Sequence, residues 1–315
     1  MFVDVLIEKI KEKNNPTVIG LDPKVEYVPT FIKDKAFKEH GVNVEGASQA
    51  ILEFNKRIID AVYDIVPAVK PQLAYYEMYG LQGLEAFDAT VKYAKSKGLI
   101  VIADGKRNDI GSTAEAYSTG FLGTTAIEGD KRQAMFDADA LTVNPYLGID
   151  GISPFIEDCK RYSKGIFVLV KTSNKSSGQL QDLVTEQGKT IYQVVAECVE
   201  EWGQAVTGKY GYSSVGAVVG ATYPKQAEDL RSIMKHAYIL VPGYGAQGGT
   251  AKDVAPSFNK DGLGAIVNAS RSVMCAYQSE MWKNAYREEK FHEASRAEAI
   301  RMRDDINSAI MDHCK

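Results

Sequence analysis

"LIVIADGKRNDIGST", residues 99–113, opens on five uninterrupted apolar residues and then places two aspartates and a lysine within six positions. A strand whose successive side chains are all apolar is buried on both faces, as in a parallel sheet covered by helices. Seven more runs of this kind occur: "TVIGLD" (17–22), "PAVKPQ" (67–72), "ALTVNPY" (140–146), "GIFVLVKTS" (165–173), "VGAVVGAT" (215–222), "YILVPGYG" (238–245) and "GAIVNAS" (264–270). Helical patterns separate most of them, at 47–66, 84–98, 190–206 and 223–237, and a last one runs from 293 to 314. Eight strand–helix units in 315 residues suit an α/β fold of the (β/α)8 TIM-barrel type. A doubly wound open sheet is the rival at this level. No Pro/Ser-rich linker divides the chain, so residues 1–315 are expected to form a single domain, with "MFVDVLIEKIKEKNN" as an extra N-terminal amphipathic helix. The stretches 30–46, 120–138 and 174–189 are expected to be loop insertions after the first, third and fifth strands.

The formal net charge is −4 with no long basic block, so neither nucleic acid nor an anionic membrane is an expected partner. The N-terminus lacks a signal-peptide core, and no apolar run approaches the roughly 20 residues that span a bilayer. A soluble, cytoplasmic protein is expected. Cys159, Cys198, Cys275 and Cys314 are far apart, without a CxxC pair, and are expected to be reduced and structural. His40, His236, His292 and His313 form no HExxH and are not expected to carry chemistry. No metal site is expected.

In both candidate architectures ligands bind at the carboxyl ends of the strands. Those ends carry Asp22, Lys70, Asp104 with Lys106, Asn144, Lys171 with Thr172 and Ser173, Thr222, Gly243 with Gly245, and Arg271. Residues two apart on a strand share a face, so Asp104 and Lys106 are expected to point together into the interior, with Asp109 just past the turn. An ion pair that merely closes the barrel end is one account of them. Three features favour a site: Lys106 has two carboxylates nearby, Gly105 leaves room for an approaching group, and Asp22 and Lys70 can converge on the same space. A lysine among carboxylates keeps its proton, which suits proton donation or charge stabilisation and not Schiff-base chemistry.

"VPGYGAQGGT" (241–250) holds GxGxxG at Gly243, Gly245 and Gly248. A dinucleotide fingerprint belongs early in a βαβ unit with an acidic residue about 20 positions on. Here the motif follows the seventh of the eight runs, and position 268 is Asn. Loops after the seventh and eighth strands of a barrel are a recurrent phosphate site, and glycines let backbone N–H groups turn towards an anion. Gln247 adds donors, and Arg271 in "NASRSV" offers a fork matched to phosphate oxygens. A phosphomonoester ligand is expected.

"ADGKRNDIGST" fits the Asp-x-Lys-x-x-Asp-Ile signature of orotidine 5′-monophosphate decarboxylases. "VIGLDP", "VKPQLAYYE", "PGYGAQGG" and "SRS" resemble further segments of that family, in family order from about residue 17 to 273, with wording similar to the branch found in some bacteria and malaria-type parasites. The resemblance implies a closed barrel that converts orotidine 5′-monophosphate to uridine 5′-monophosphate without a cofactor, the last step of pyrimidine synthesis. It implies that Lys106 protonates C6 of the pyrimidine and that Asp104 lies near the substrate carboxylate and holds Lys106. Asp22 and Lys70 would bind ribose hydroxyls, Ser173 the pyrimidine edge beside Pro242, and Gln247 and Arg271 the phosphate. Asp109 and Thr113 would reach into a partner's site in a homodimer. No phosphoribosyltransferase sequence is visible, so a single-function form is expected. The short signature is shared with magnesium-dependent sugar-phosphate decarboxylases, and a non-catalytic barrel that binds a phosphate ligand is a further alternative.

Overall fold

The computed structural model describes residues 1–246 and 248–315. Among the described residues ten strands are present: β1 (Thr17–Leu21), β2 (Ala68–Pro71), β3 (Ile100–Arg107), β4 (Thr125–Glu128), β5 (Lys131–Gln133), β6 (Ala140–Val143), β7 (Gly165–Lys171), β8 (Ser213–Val219), β9 (Ala237–Pro242) and β10 (Ala265–Ala269). Eight close into a barrel in the order β1-β10-β9-β8-β7-β6-β3-β2, every pair parallel. Closure decides against the open sheet. All eight apolar runs supply barrel strands, and β4 and β5 form a separate antiparallel hairpin.

The two-residue pleat explains how an apolar sequence builds a polar mouth. Outward residues such as Ile19, Val69, Val101, Leu141, Val168, Ala217, Ile239 and Val267 bury against the surrounding helices. Inward residues at the amino ends are apolar: Val18, Ala68, Ile100, Ala140, Phe167, Tyr238 and Ile266 share one cluster. The helix Phe2–Lys13 plugs this end with Phe2, Val3, Leu6, Ile7 and Ile10. Phe2 meets the Phe167 ring edge-on at 6.2 Å, in the space where a side chain on Gly165 would stand. Continuing inward in steps of two, β2 reaches Lys70, β3 reaches Asp104, β6 reaches Thr142 and β10 reaches Asn268, all buried. The barrel thus has a dry floor and a charged mouth.

Two of the expected insertions are more ordered than loops. Residues 30–46 are mainly the helix Thr30–His40, which buries Ile32 and Ala36 and packs on the helix Val44–Val62. Its buried positions, Ile32 and Ala36, are too few to make a clear sequence stripe. Residues 120–138 contain the exposed β4–β5 hairpin turned at Gly129, where φ is +55°. Residues 174–189 hold short helical turns and Val184, which forms a single antiparallel bridge to Thr190. Among the described residues, no helix is long and apolar enough to cross a membrane.

Candidate active site

Asp104 ends the regular part of β3 and is 7% exposed. Its Oδ2 lies 2.5 Å from Lys70 Nζ and its Oδ1 2.6 Å from Lys106 Nζ, and Oδ1 also accepts from Thr142 Oγ1 at 2.9 Å. Burial alone would raise the carboxyl's pKa. The two ammonium groups outweigh it and hold Asp104 well below the usual carboxylate range. Burial would likewise lower Lys70, but the Asp104 and Asp22 carboxylates reverse this and raise it, so Lys70 is charged. The result is one buried carboxylate flanked by two lysines. Lys70 is almost fully enclosed, whereas the Lys106 side chain is 44% exposed and open to the mouth.

A cavity of about 280 Å³ lies over the same end of the barrel, lined by Asp22, Lys24, Tyr75, Gly243, Asn268 and Arg271, among others. Two buried acceptors there, Asp22 Oδ1 and Asn268 Oδ1, have no hydrogen-bond partner among the described residues. Buried acceptors without donors are costly, so both suit a ligand rich in hydroxyl groups. Arg271 stands at the start of the turn after β10, and its Nη2 donates to Ala246 O at 3.4 Å across the glycine loop. Gly243 and Gly245 have φ of +102° and +74°, values that a residue with a side chain rarely adopts. Gly20 on β1 leaves room for the residues of β10 and the turn after it: a side chain there would collide with Ser270 Oγ and approach Asn268 Oδ1.

A family model described as orotidine 5′-phosphate decarboxylase / HUMPS family matches residues 18–284. The chain belongs to that family. The orotidine 5′-phosphate decarboxylase of Caldicellulosiruptor saccharolyticus is 44% identical over 309 residues, covering 98% of this chain and 99% of that protein. The one from Rhodopirellula baltica is 45% identical over 305 residues, covering 97% and 98%. The structure of Leishmania donovani OMP decarboxylase superposes with a TM-score of 0.72 at 27% identity, covering 98% of each chain.

Against the orotidine 5′-phosphate decarboxylase signature, the structure gathers Lys70, Asp104 and Lys106 into one cluster and leaves Asp109 outside it. The expectation of two carboxylates at Lys106 therefore fails within one chain. Past Arg107 the chain turns away into the helix Gly111–Phe121, and Asp109 Oδ1 accepts from the N–H of Ile110 at 2.8 Å. Thr113 is exposed on the first turn of that helix. Gly105 also differs from expectation. A side chain there would meet Leu141 Cδ1 at 3.3 Å and Arg107 Cγ at 3.4 Å, so its vacant side faces the outer layer and not a ligand.

Pro242 ends β9 beside Asn268 of β10. Ser173 follows β7, and its carbonyl accepts from Thr222 Oγ1 at 3.4 Å. Gln247 lies outside the described residues. Lys171, one of the strand-end groups, is not part of the cluster: it is fully buried, 2.5 Å from Asp182 Oδ1, and it pins the 174–189 segment. Sequence reasoning missed Thr142 and assigned no binding role to Asn268. Both are neutral residues inside apolar strands. Their only signal is that they fall two positions beyond an inward apolar residue.

Proposed function

We propose that the protein decarboxylates orotidine 5′-monophosphate to uridine 5′-monophosphate and carbon dioxide, as a cytoplasmic enzyme of pyrimidine synthesis. The observation that carries this reading is the Lys70–Asp104–Lys106 array at the carboxyl end of the barrel strands, with a cavity at the same end lined by Asp22, Asn268 and Arg271. The bond from C6 to the carboxylate breaks, and its electron pair stays on C6. Lys106 Nζ, held by Asp104 and open to the mouth, gives its proton to that carbon and later regains one from solvent. No carbonyl adjoins C6 to accept the charge, so a fixed ammonium is the stabilising group, and it needs no solvent reorganisation. Asp104, ionised by its two lysines, stands next to the departing carboxylate and keeps Lys106 in place.

The same reading gives Asp22 and Lys70 the ribose hydroxyls, Ser173 and Pro242 the pyrimidine, and Gln247 and Arg271 the phosphate. Phosphate binding far from C6 supplies energy for positioning at the reacting carbon. It further makes the enzyme a homodimer in which Asp109 and Thr113 complete the partner's site. Supporting this, Asp109 makes no ion pair with the described residues of its own chain. Ile110 and Tyr117, on the same segment, expose large apolar side chains. A hollow of about 810 Å³ is lined by Gly111, Ser112 and Glu115 of the same segment, together with Ser153, Pro154 and Arg161.

A magnesium-dependent sugar-phosphate decarboxylase is the second reading, because the matching family description includes HUMPS. Two ammonium groups within 2.6 Å of Asp104 disfavour a divalent cation there. Incubation with orotidine 5′-monophosphate, with and without EDTA, decides: absorbance loss that EDTA leaves intact supports the proposal. Loss of activity in EDTA with recovery in magnesium favours the second reading. Tight product binding without turnover identifies a silent binding barrel.

A further inference from the structure

Ala103 pairs with Leu141 and Arg107 pairs with Val143, so Asp104, Gly105 and Lys106 together stand opposite the single residue Thr142. A regular parallel ladder sets one residue against one. The two extra residues form a bulge, and a bulge leaves backbone groups without ladder partners. Lys106 lies inside it with φ of +50°, a left-handed conformation that a residue with a side chain rarely adopts. The pleat alone therefore does not bring Lys106 onto the Asp104 face. The bulge does.

Thr142 answers each consequence of the bulge. Its Oγ1 accepts the Lys106 backbone N–H at 3.0 Å, replacing the missing ladder partner. The same hydroxyl donates to Asp104 Oδ1 at 2.9 Å, on the oxygen that binds Lys106 Nζ. The side chain is 1% exposed, and β-branching restricts its χ1. One hydroxyl thus ties the backbone of the lysine to the carboxylate that holds its ammonium. Asp104 and Lys70 do not perform this function, because neither touches the Lys106 main chain through a side chain.

We propose that Thr142 is a positioning residue for the decarboxylation: it fixes the left-handed Lys106 backbone and the Asp104 rotamer so that the ammonium is aimed at the reacting carbon. This rests on the function proposed above. The residue touches no substrate; it acts through Lys106 and Asp104. A hydroxyl is what matters at this position, so an isostere without it keeps the shape and loses the aim.

The test compares Thr142→Val with Thr142→Ser in the full-length enzyme, measuring kcat and KM for orotidine 5′-monophosphate, the dissociation constant of uridine 5′-monophosphate, and Tm. T142V is expected to lower kcat by about tenfold to a hundredfold while KM and product affinity stay within about threefold, since only the reacting geometry is lost. T142S, which retains the hydroxyl, is expected within about threefold of wild type in kcat. Wild-type kcat in T142V overturns the proposal. So does a parallel loss of kcat and product binding that follows the folded fraction, or failure of T142V to fold while T142S is unchanged, since each marks a purely structural residue. A wild-type enzyme that does not turn over orotidine 5′-monophosphate is a different result and removes the functional reading itself.

Discussion

Lys106 approaches Asp104 to 2.6 Å, yet the two differ sharply in environment: the lysine side chain is 44% exposed and the carboxylate 9%. A pair whose only task is to close a barrel end gains nothing from leaving its ammonium in the open. Removing Lys106 leaves Asp104 paired with Lys70, so the buried charge stays compensated. Lys106→Ala is therefore expected to fold with a Tm near wild type and to retain product binding. Its kcat should fall by about a thousandfold or more, the scale of a lost proton donor and charge stabiliser. A well-folded mutant with unchanged turnover removes Lys106 from the mechanism.

Lys70 and Asp104 make opposite contributions to the pH dependence of stability. Lys70 is raised, so its stabilisation is complete below about pH 10.4 and is lost as pH rises through the folded value. Asp104 is lowered, so its share is complete above about pH 3.9 and is lost only on further acidification. Between these limits the pair adds no slope. The Tm gap between wild type and Lys70→Met should stay constant from about pH 5 to about pH 9 and narrow above about pH 10.4. A gap that changes steadily through neutrality contradicts a charged Lys70.

Arg271 is the one arginine lining the cavity among the described residues, and its Nη2 reaches the glycine loop at Ala246 O. Arg271→Ala should remove one charge-assisted contact to phosphate, worth roughly 1.5–3 kcal/mol. At 1.4 kcal/mol per decade, kcat/KM for the nucleotide should fall by about tenfold to a few hundredfold. Orotidine without its phosphate should be a poor substrate for both proteins and nearly indifferent to the change. Equal damage with both substrates makes Arg271 structural and moves the phosphate elsewhere.

How far the sequence foretells this site depends on what each residue's neighbours are. The strands are legible because burial on both faces demands unbroken apolar runs, and charges directly behind them stand out. Lys70, Asp104 and Lys106 are found that way. Lys171 shows the limit of the same logic. It also ends a strand, but its partner Asp182 belongs to an insertion whose path no pattern specifies. Thr142 carries no charge, and its importance comes from a bulge in the opposite strand, a register property that neither strand's sequence contains alone. The closeness of Asp109 to Lys106 along the chain gives no ion pair within the chain for a related reason, because the backbone runs on after Arg107 into the helix Gly111–Phe121.

That turn gives the sharpest test, because it separates Asp109 from the lysine its motif suggests it joins. If Asp109 completes the partner's site, Lys106→Ala and Asp109→Ala proteins, each inactive alone, should restore activity when mixed. In a mixed dimer one site collects both defects, and the other takes intact Lys106 from one chain and intact Asp109 from the other. Random exchange at equal amounts makes half the dimers mixed, each with one good site of two. About a quarter of wild-type activity should return, by counting sites across an isologous interface. Subunit exchange is verified in parallel with mass-tagged chains. Exchange without recovery means that every site still holds a defect. Asp109 then serves its own chain, and the shared site falls while the decarboxylase reading stands.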